Sequence, residues 1–126
     1  MGEKATLTIL LKSGPYTRED AWTVINIAEA ALEKGYKVNL YLHGDAVLNA
    51  DSHIEPVDKG EKSIAERLKE LMGKGLSVSI CPACASLRGL KNSDVVEGAV
   101  VTGFCSLGDW VMRSHRFISF TGGLHG

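Results

Sequence analysis

No apolar run in this 126-residue chain is long enough to span a bilayer, and the formal net charge is only −1. The first absence excludes a membrane-spanning helix. The second removes the electrostatic case for nucleic acid or an anionic membrane as a partner. Cysteine is scarce as well: three residues, an odd number, argue against a disulfide framework. The opening "MGEKATLTILLKSG" carries Glu3 and runs straight into a strand-like alternation, so it does not read as a secretory signal. Only Thr6 supports myristoylation at Gly2, which leaves that reading without weight. A reducing cytoplasm is the expected compartment, where cysteines serve chemistry or metals rather than staples.

Catalytic signatures are missing too. The glycines at 98, 103 and 108 are followed by no Gly-Lys-Ser/Thr, so no Walker-type phosphate loop is present. No Ser/His/Asp order is distinctive, and no second Cys-x-x-Cys exists to complete a four-cysteine zinc site.

What is present is the composition of a globular domain, 44% apolar and 23% charged, in a chain long enough for one domain and too short for two. β-Branched apolar runs alternate with helix-period segments. Strands are expected at 5–11, 37–43, 76–80, 98–102 and 116–120. A helix is expected from an N-cap at Thr17 to about Lys34, with Ala21, Ile25, Ala28 and Leu32 on its buried face. A second helix is expected over 61–72, with Lys59, Glu61 and Lys62 as its solvated start. A short one follows over 82–88, with Pro82 at its first position and Gly89 as its stop. The last helix is expected to be capped by Ser106, with Asp109 three residues on. Residues 46–60 read as a long irregular loop suited to binding or an interface, 94–97 as a turn, and the glycine-rich end 121–126 as a mobile tail. Successive β-α-β units of this kind define one three-layer α/β domain over residues 1–126, with a mainly parallel sheet of about five strands.

Ligands of such sheets bind at the carboxyl edge, near the point where strand order reverses. The residues that follow the strands are therefore the candidates. "SICPACASLRGL" at 79–90 places Cys81 where a strand meets a helix, so unpaired N–H groups can hold a thiolate there. The bland alternative is a small buried residue at a strand end. Cys84, one turn on, reads as a resolving thiol, a metal ligand or a packed small residue. Cys105, after the fourth strand, is expected on the same edge. His43 ends the second strand and can assist proton transfer, although a histidine bonded to loop backbone explains it as well. His43, His53 and His115 stand at spacings that do not suggest a metal site, so none is expected. Trp22 and Trp110 read as packing or oligomer contacts. Arg88, at the far end of the short helix, is not expected to activate Cys81. A thioredoxin-type dithiol is disfavoured by order, because Cys-Pro-Ala-Cys lies two-thirds along the chain and opens a helix of only about two turns.

Taken together, "SGPYTREDAWTVINIAEAALEKGYKVNLYLHGDAVLNA", "VSICPACASLRGL" and "VVTGFCSLGDWVMRSHRFISF" resemble the DsrE/DsrF/TusD family of small sulfur-relay proteins over nearly the whole chain. The resemblance implies a flavodoxin-like fold and no organic cofactor. It implies homo-oligomers or hetero-oligomers, often trimers or hexamers, which work with sulfur donor and acceptor proteins. It also implies that Cys81 accepts sulfane sulfur as a persulfide, with Cys84, or else Cys105, as a second thiol that simple carriers do not need. Two other functions stay open: a dithiol oxidoreductase cycling Cys81 and Cys84, and a non-catalytic subunit with all three cysteines packed.

Overall fold

The computed structural model describes residues 5–16, 18–58 and 60–121. It contains five strands, β1 (Thr6–Leu11), β2 (Lys37–Leu42), β3 (Ser77–Ile80), β4 (Val100–Val101) and β5 (Arg116–Phe120). Between them run four helices, α1 (Asp20–Glu33), α2 (Ile64–Gly73), α3 (Pro82–Leu87) and α4 (Phe104–Arg113). The strands form one sheet in the order β4-β3-β2-β1-β5, and every pairing is parallel. This is a three-layer α/β fold of the flavodoxin-like kind. Among the described residues, no helix is long and apolar enough to cross a membrane.

The strand order follows from the sequence of crossovers. From β1 to β4 the chain steps in one direction across the sheet, and it then returns to place β5 beside β1. Right-handed crossovers put helices from opposite steps on opposite faces. α1 and α2 accordingly pack on one another and on β1 to β3, while α4 packs against β1 and sets Phe104 and Trp110 edge-on to Tyr41.

The alternation of side chains makes the two faces unlike. Toward α1 and α2 point Ile9, Leu11, Val38, Leu40, Leu42, Val78 and Ile80, all buried. They meet Val24, Ile25, Ala28, Leu68 and Leu71, also buried, and each such valine, leucine or isoleucine contributes about 1.5–3 kcal/mol. Toward α4 point Thr8, Asn39, Tyr41 and Ser79, joined by hydrogen bonds instead. Asn39 Nδ2 donates to Thr8 Oγ1 (3.3 Å), the Tyr41 hydroxyl donates to the Thr102 carbonyl (2.9 Å), and the Ser79 and Thr102 hydroxyls hydrogen-bond one another.

Several boundaries differ from the expectations. α2 starts at Ile64 rather than Glu61, because Ser63 takes the N-cap position and its hydroxyl accepts from the Glu66 N–H (3.1 Å). Lys59 and Thr17, the expected cap of α1, lie outside the described residues, as does 122–126 of the expected tail. Ser106 does not cap α4. Gly103 turns the chain out of β4 in extended conformation, so the helix begins at Phe104 and Ser106 lies inside it. The expected irregular loop is half structured. Gly44–Ala50 is a 3-10 helix that buries Ala46, Val47 and Ala50 completely. The small apolar residues of "DAVLNA" allow that close approach, and the segment packs against α2 and α3.

Candidate functional site

β3 ends at Ile80 and delivers Cys81 to the N-cap of α3. Two local features force the change from strand to helix there. Cys81 keeps extended backbone (φ −72°, ψ 122°), and Pro82 follows at the first helical position, where its missing N–H costs nothing. The Cys81 sulfur takes the role of a capping oxygen and accepts the Cys84 N–H at 3.4 Å. Its own N–H donates to the Leu42 carbonyl (3.1 Å), which extends the β2–β3 pairing to the thiol itself.

That pairing brings in the end of β2. His43 leaves the strand next to Cys81, and Gly44 turns the chain with a φ of +62°, a left-handed conformation that suits glycine. The Gly44 N–H points at the Cys84 sulfur and donates to it at 3.2 Å. One ring nitrogen of His43 and the two sulfurs all lie within 4.8 Å of one another. The imidazole packs at a tilt against Phe104 of α4, ring centres 5.1 Å apart. Arg88 closes the far side. Its Nε and Nη2 both reach Asp45 Oδ1 (2.8 Å each), and its Nη1 donates to the Cys84 carbonyl (3.0 Å).

The two thiols are almost equally buried, Cys81 7% and Cys84 8% exposed, yet their electrostatics differ. Burial pushes the Cys81 thiol up. Hydrogen bonds from the Cys84 thiol, the Cys84 and Ala83 N–H groups and the Tyr41 hydroxyl outweigh it and leave Cys81 below its ordinary range. Cys84 is raised, by burial and then by its bond to Cys81, with the Gly44 N–H and Arg88 only partly compensating. The first proton therefore leaves from Cys81. Tyr41 is raised to about 12 by burial and by the charge of the two cysteines, so it stays a donor. His43 is lowered by burial and by Lys12 and Arg88, which favours the neutral imidazole, a proton acceptor or ligand.

The structure thus brings together Cys81, Cys84 and His43 and separates Cys105 from them. Cys105 is exposed on α4 and borders a surface cleft with Val100, Thr102, Asp109 and Trp110. His53 pairs with Asp51 (3.1 Å), and His115 accepts the Thr6 N–H (3.0 Å). The cluster stands at the carboxyl ends of β2 and β3, rather than between β1 and β5 where the strand order reverses. Tyr41 was not singled out from sequence, and Gly44 and Asp45, which follow the second strand at the candidate edge, were given no role. Arg88, set aside for its distance from Cys81, acts on Cys84 instead. The available signal was the run His43-Gly44-Asp45 directly after a strand, at the edge where ligands bind.

A parallel α/β domain with an N-cap thiol and a second thiol one turn on defines a small thiol-bearing protein of the doubly wound class. The chain belongs to the DsrE/DsrF-like family, a sulfur-relay family whose model matches residues 5–120. Relatives include an uncharacterized protein of Methanocaldococcus jannaschii, 30% identical over 113 residues that cover 90% of this chain and 97% of the relative. An uncharacterized protein of Methanopyrus kandleri is 29% identical over 114 residues, covering 90% and 93%. Among solved structures, the ychN protein from E. coli superposes with a TM-score of 0.84 at 21% identity, covering 92% of this chain and 99% of that one. A protein of unknown function from Methanobacterium thermoautotrophicum reaches 0.76 at 13% identity, covering 93% and 100%. At these identities the structural matches support the fold.

Proposed function

We propose that this chain is a cytoplasmic sulfur carrier that holds sulfane sulfur as a persulfide on Cys81 and passes it to a partner protein. The observation that carries the reading is the Cys81 sulfur in the N-cap position of α3, hydrogen-bonded by backbone N–H in a member of a sulfur-relay family. In the loading step the Cys81 thiolate attacks the outer sulfur of a donor persulfide. A Cys81 S–S bond forms, the donor S–S bond breaks, and the donor leaves as a thiolate. In the transfer step an acceptor thiolate attacks that outer sulfur and Cys81 is returned as thiolate. No electrons are gained or lost overall, so no redox cofactor is required.

The nearness of Cys84 favours a second exit. Its thiolate can attack the inner sulfur of the Cys81 persulfide, forming a Cys81–Cys84 disulfide and expelling hydrosulfide. External reductant must then reopen the pair. The raised Cys84 thiol lowers the thiolate fraction available for this exit at neutral pH.

Partner or self-association is assigned to the face formed by β4, α4 and β5. α4 buries only Leu107, while Phe104 is 57% and Met112 87% exposed, and Val100, Val101 and Phe117 are exposed as well. Exposed apolar side chains such as Phe104 and Met112 on α4 suit a second copy or an acceptor surface.

The test is direct. The reduced protein is treated with a persulfide donor, digested and weighed by mass spectrometry. One added sulfur is expected on the peptide carrying Cys81, and none in Cys81→Ser. No gain in the wild type, or an undiminished gain in Cys81→Ser, overturns the proposal.

A further inference from the structure

We propose that His43, Cys81 and Cys84 form a binding site for a single zinc ion. The site stands on the placement of its three donors and is independent of the sulfur-carrier reading.

The donor set is specific. Two thiolates and an imidazole are shared preferences of zinc, whereas magnesium and calcium take oxygen ligands. The three donor atoms lie within 4.8 Å of one another. Zn–S bonds of about 2.3 Å and Zn–N of about 2.0 Å would draw them to about 3.5–3.8 Å in a tetrahedral site. Two of the three come from a Cys-x-x-Cys step and the third from the neighbouring strand, so β2–β3 pairing sets the distance between them. That origin explains why sequence spacing gives no hint of the site: 38 positions separate His43 from Cys81, but they end adjacent strands.

The surroundings hold the sulfurs as they are held in a metal–thiolate site. Each already accepts a backbone N–H, Cys81 from Cys84 and Cys84 from Gly44, and such outer hydrogen bonds orient ligands and spread their charge. His43 is braced by Phe104. The nearest carboxylate of the following turn, Asp45, is engaged by Arg88. Three protein ligands therefore leave the fourth position to water or an incoming sulfur ligand, the arrangement of an open zinc centre. Charge favours the same conclusion. Two thiolates side by side in a buried setting repel one another, and a dication neutralises both. Binding exchanges two thiol protons for Zn2+, releasing both protons to solvent, with no change in oxidation state. Bound zinc would occupy the Cys81 sulfur.

The experiment uses the fully reduced whole chain and Zn2+ alone, titrated against a chromophoric chelator with Mg2+ as control. One Zn2+ per chain is expected, unchanged in Cys105→Ser, abolished in Cys84→Ser and weakened in His43→Ala by at least about tenfold, the scale that even outer partners of a metal site command. Co2+ in the wild type needs no variant. It is expected to give thiolate-to-metal charge transfer in the near ultraviolet and strong tetrahedral bands in the visible. No stoichiometric zinc, no thiolate charge transfer, or affinity unaltered in Cys84→Ser or His43→Ala overturns the proposal. Sulfur loading measured on the metal-free chain separates this result from the fate of the persulfide reading.

Discussion

The two faces of the sheet are built from the same strands on alternate residues, and they have different tasks. The face under α1 and α2 is aliphatic throughout, with Ile9, Leu40 and Ile80 closed off from water. The face under α4 carries Thr8, Asn39, Tyr41 and Ser79, linked by hydrogen bonds although the buried Asn39 Oδ1 has no partner, and leads directly to the Cys81 thiol. One face supplies the hydrophobic stabilisation. The other holds polar groups at fixed positions near the Cys81 thiol and leaves part of α4 unburied. Stability and chemistry are thereby separated by a period of two residues.

That separation can be broken on purpose. Leu40→Ala on the aliphatic face is expected to cost about 2–5 kcal/mol, read as a lowered denaturant midpoint. Sulfur loading per folded molecule should survive it. A loss below about 1 kcal/mol would mean that the two faces share the burden of stability.

A smaller effect separates the two thiols. Because Cys81 lies below the ordinary thiol range and Cys84 above it, lowering the pH from alkaline to neutral removes the Cys84 thiolate first. In a Cys105→Ser background, iodoacetamide should therefore mark Cys81 well ahead of Cys84 at neutral pH, with the gap narrowing as the pH rises. Equal labelling at neutral pH, by peptide mapping, would remove the asymmetry. The smallest expected effect on stability is at the rim. Met112→Lys, on the exposed side of α4, should change unfolding free energy by less than about 0.5 kcal/mol. It should nonetheless lower the apparent mass in light scattering, if this face joins copies. A mass unchanged by the charge moves the interface elsewhere.

Much of the architecture was legible because it is local. The strand-like alternation that opens β1, Pro82 at the start of α3 and Gly89 as its stop each act within a few residues. Boundaries were lost where a neighbouring residue competed for a cap, as Ser63 did with Glu61 and Gly103 with Ser106. Residues 46–50 of the 3-10 helix were read as irregular because Asn49 and the polar residues beyond it masked the buried small ones. Cys105 was placed with the other thiols because it also follows a strand, but β4 is the edge strand and α4 carries that thiol out to solvent.

The sequence by itself determined that the chain is an α/β domain and that Cys81 stands where a strand becomes a helix. Those are consequences of periodicity and of one proline, which act over short range. Only the tertiary structure decided what surrounds that thiol. His43, Gly44 and Tyr41 reach it through the parallel pairing of β2 with β3, and Phe104 reaches His43 because the last crossover returns over the opposite face. Such neighbours are chosen by strand order, which no spacing along the chain encodes. Cys81 and Cys84 stand one turn apart, and the groups that fold against them lower the first thiol and raise the second.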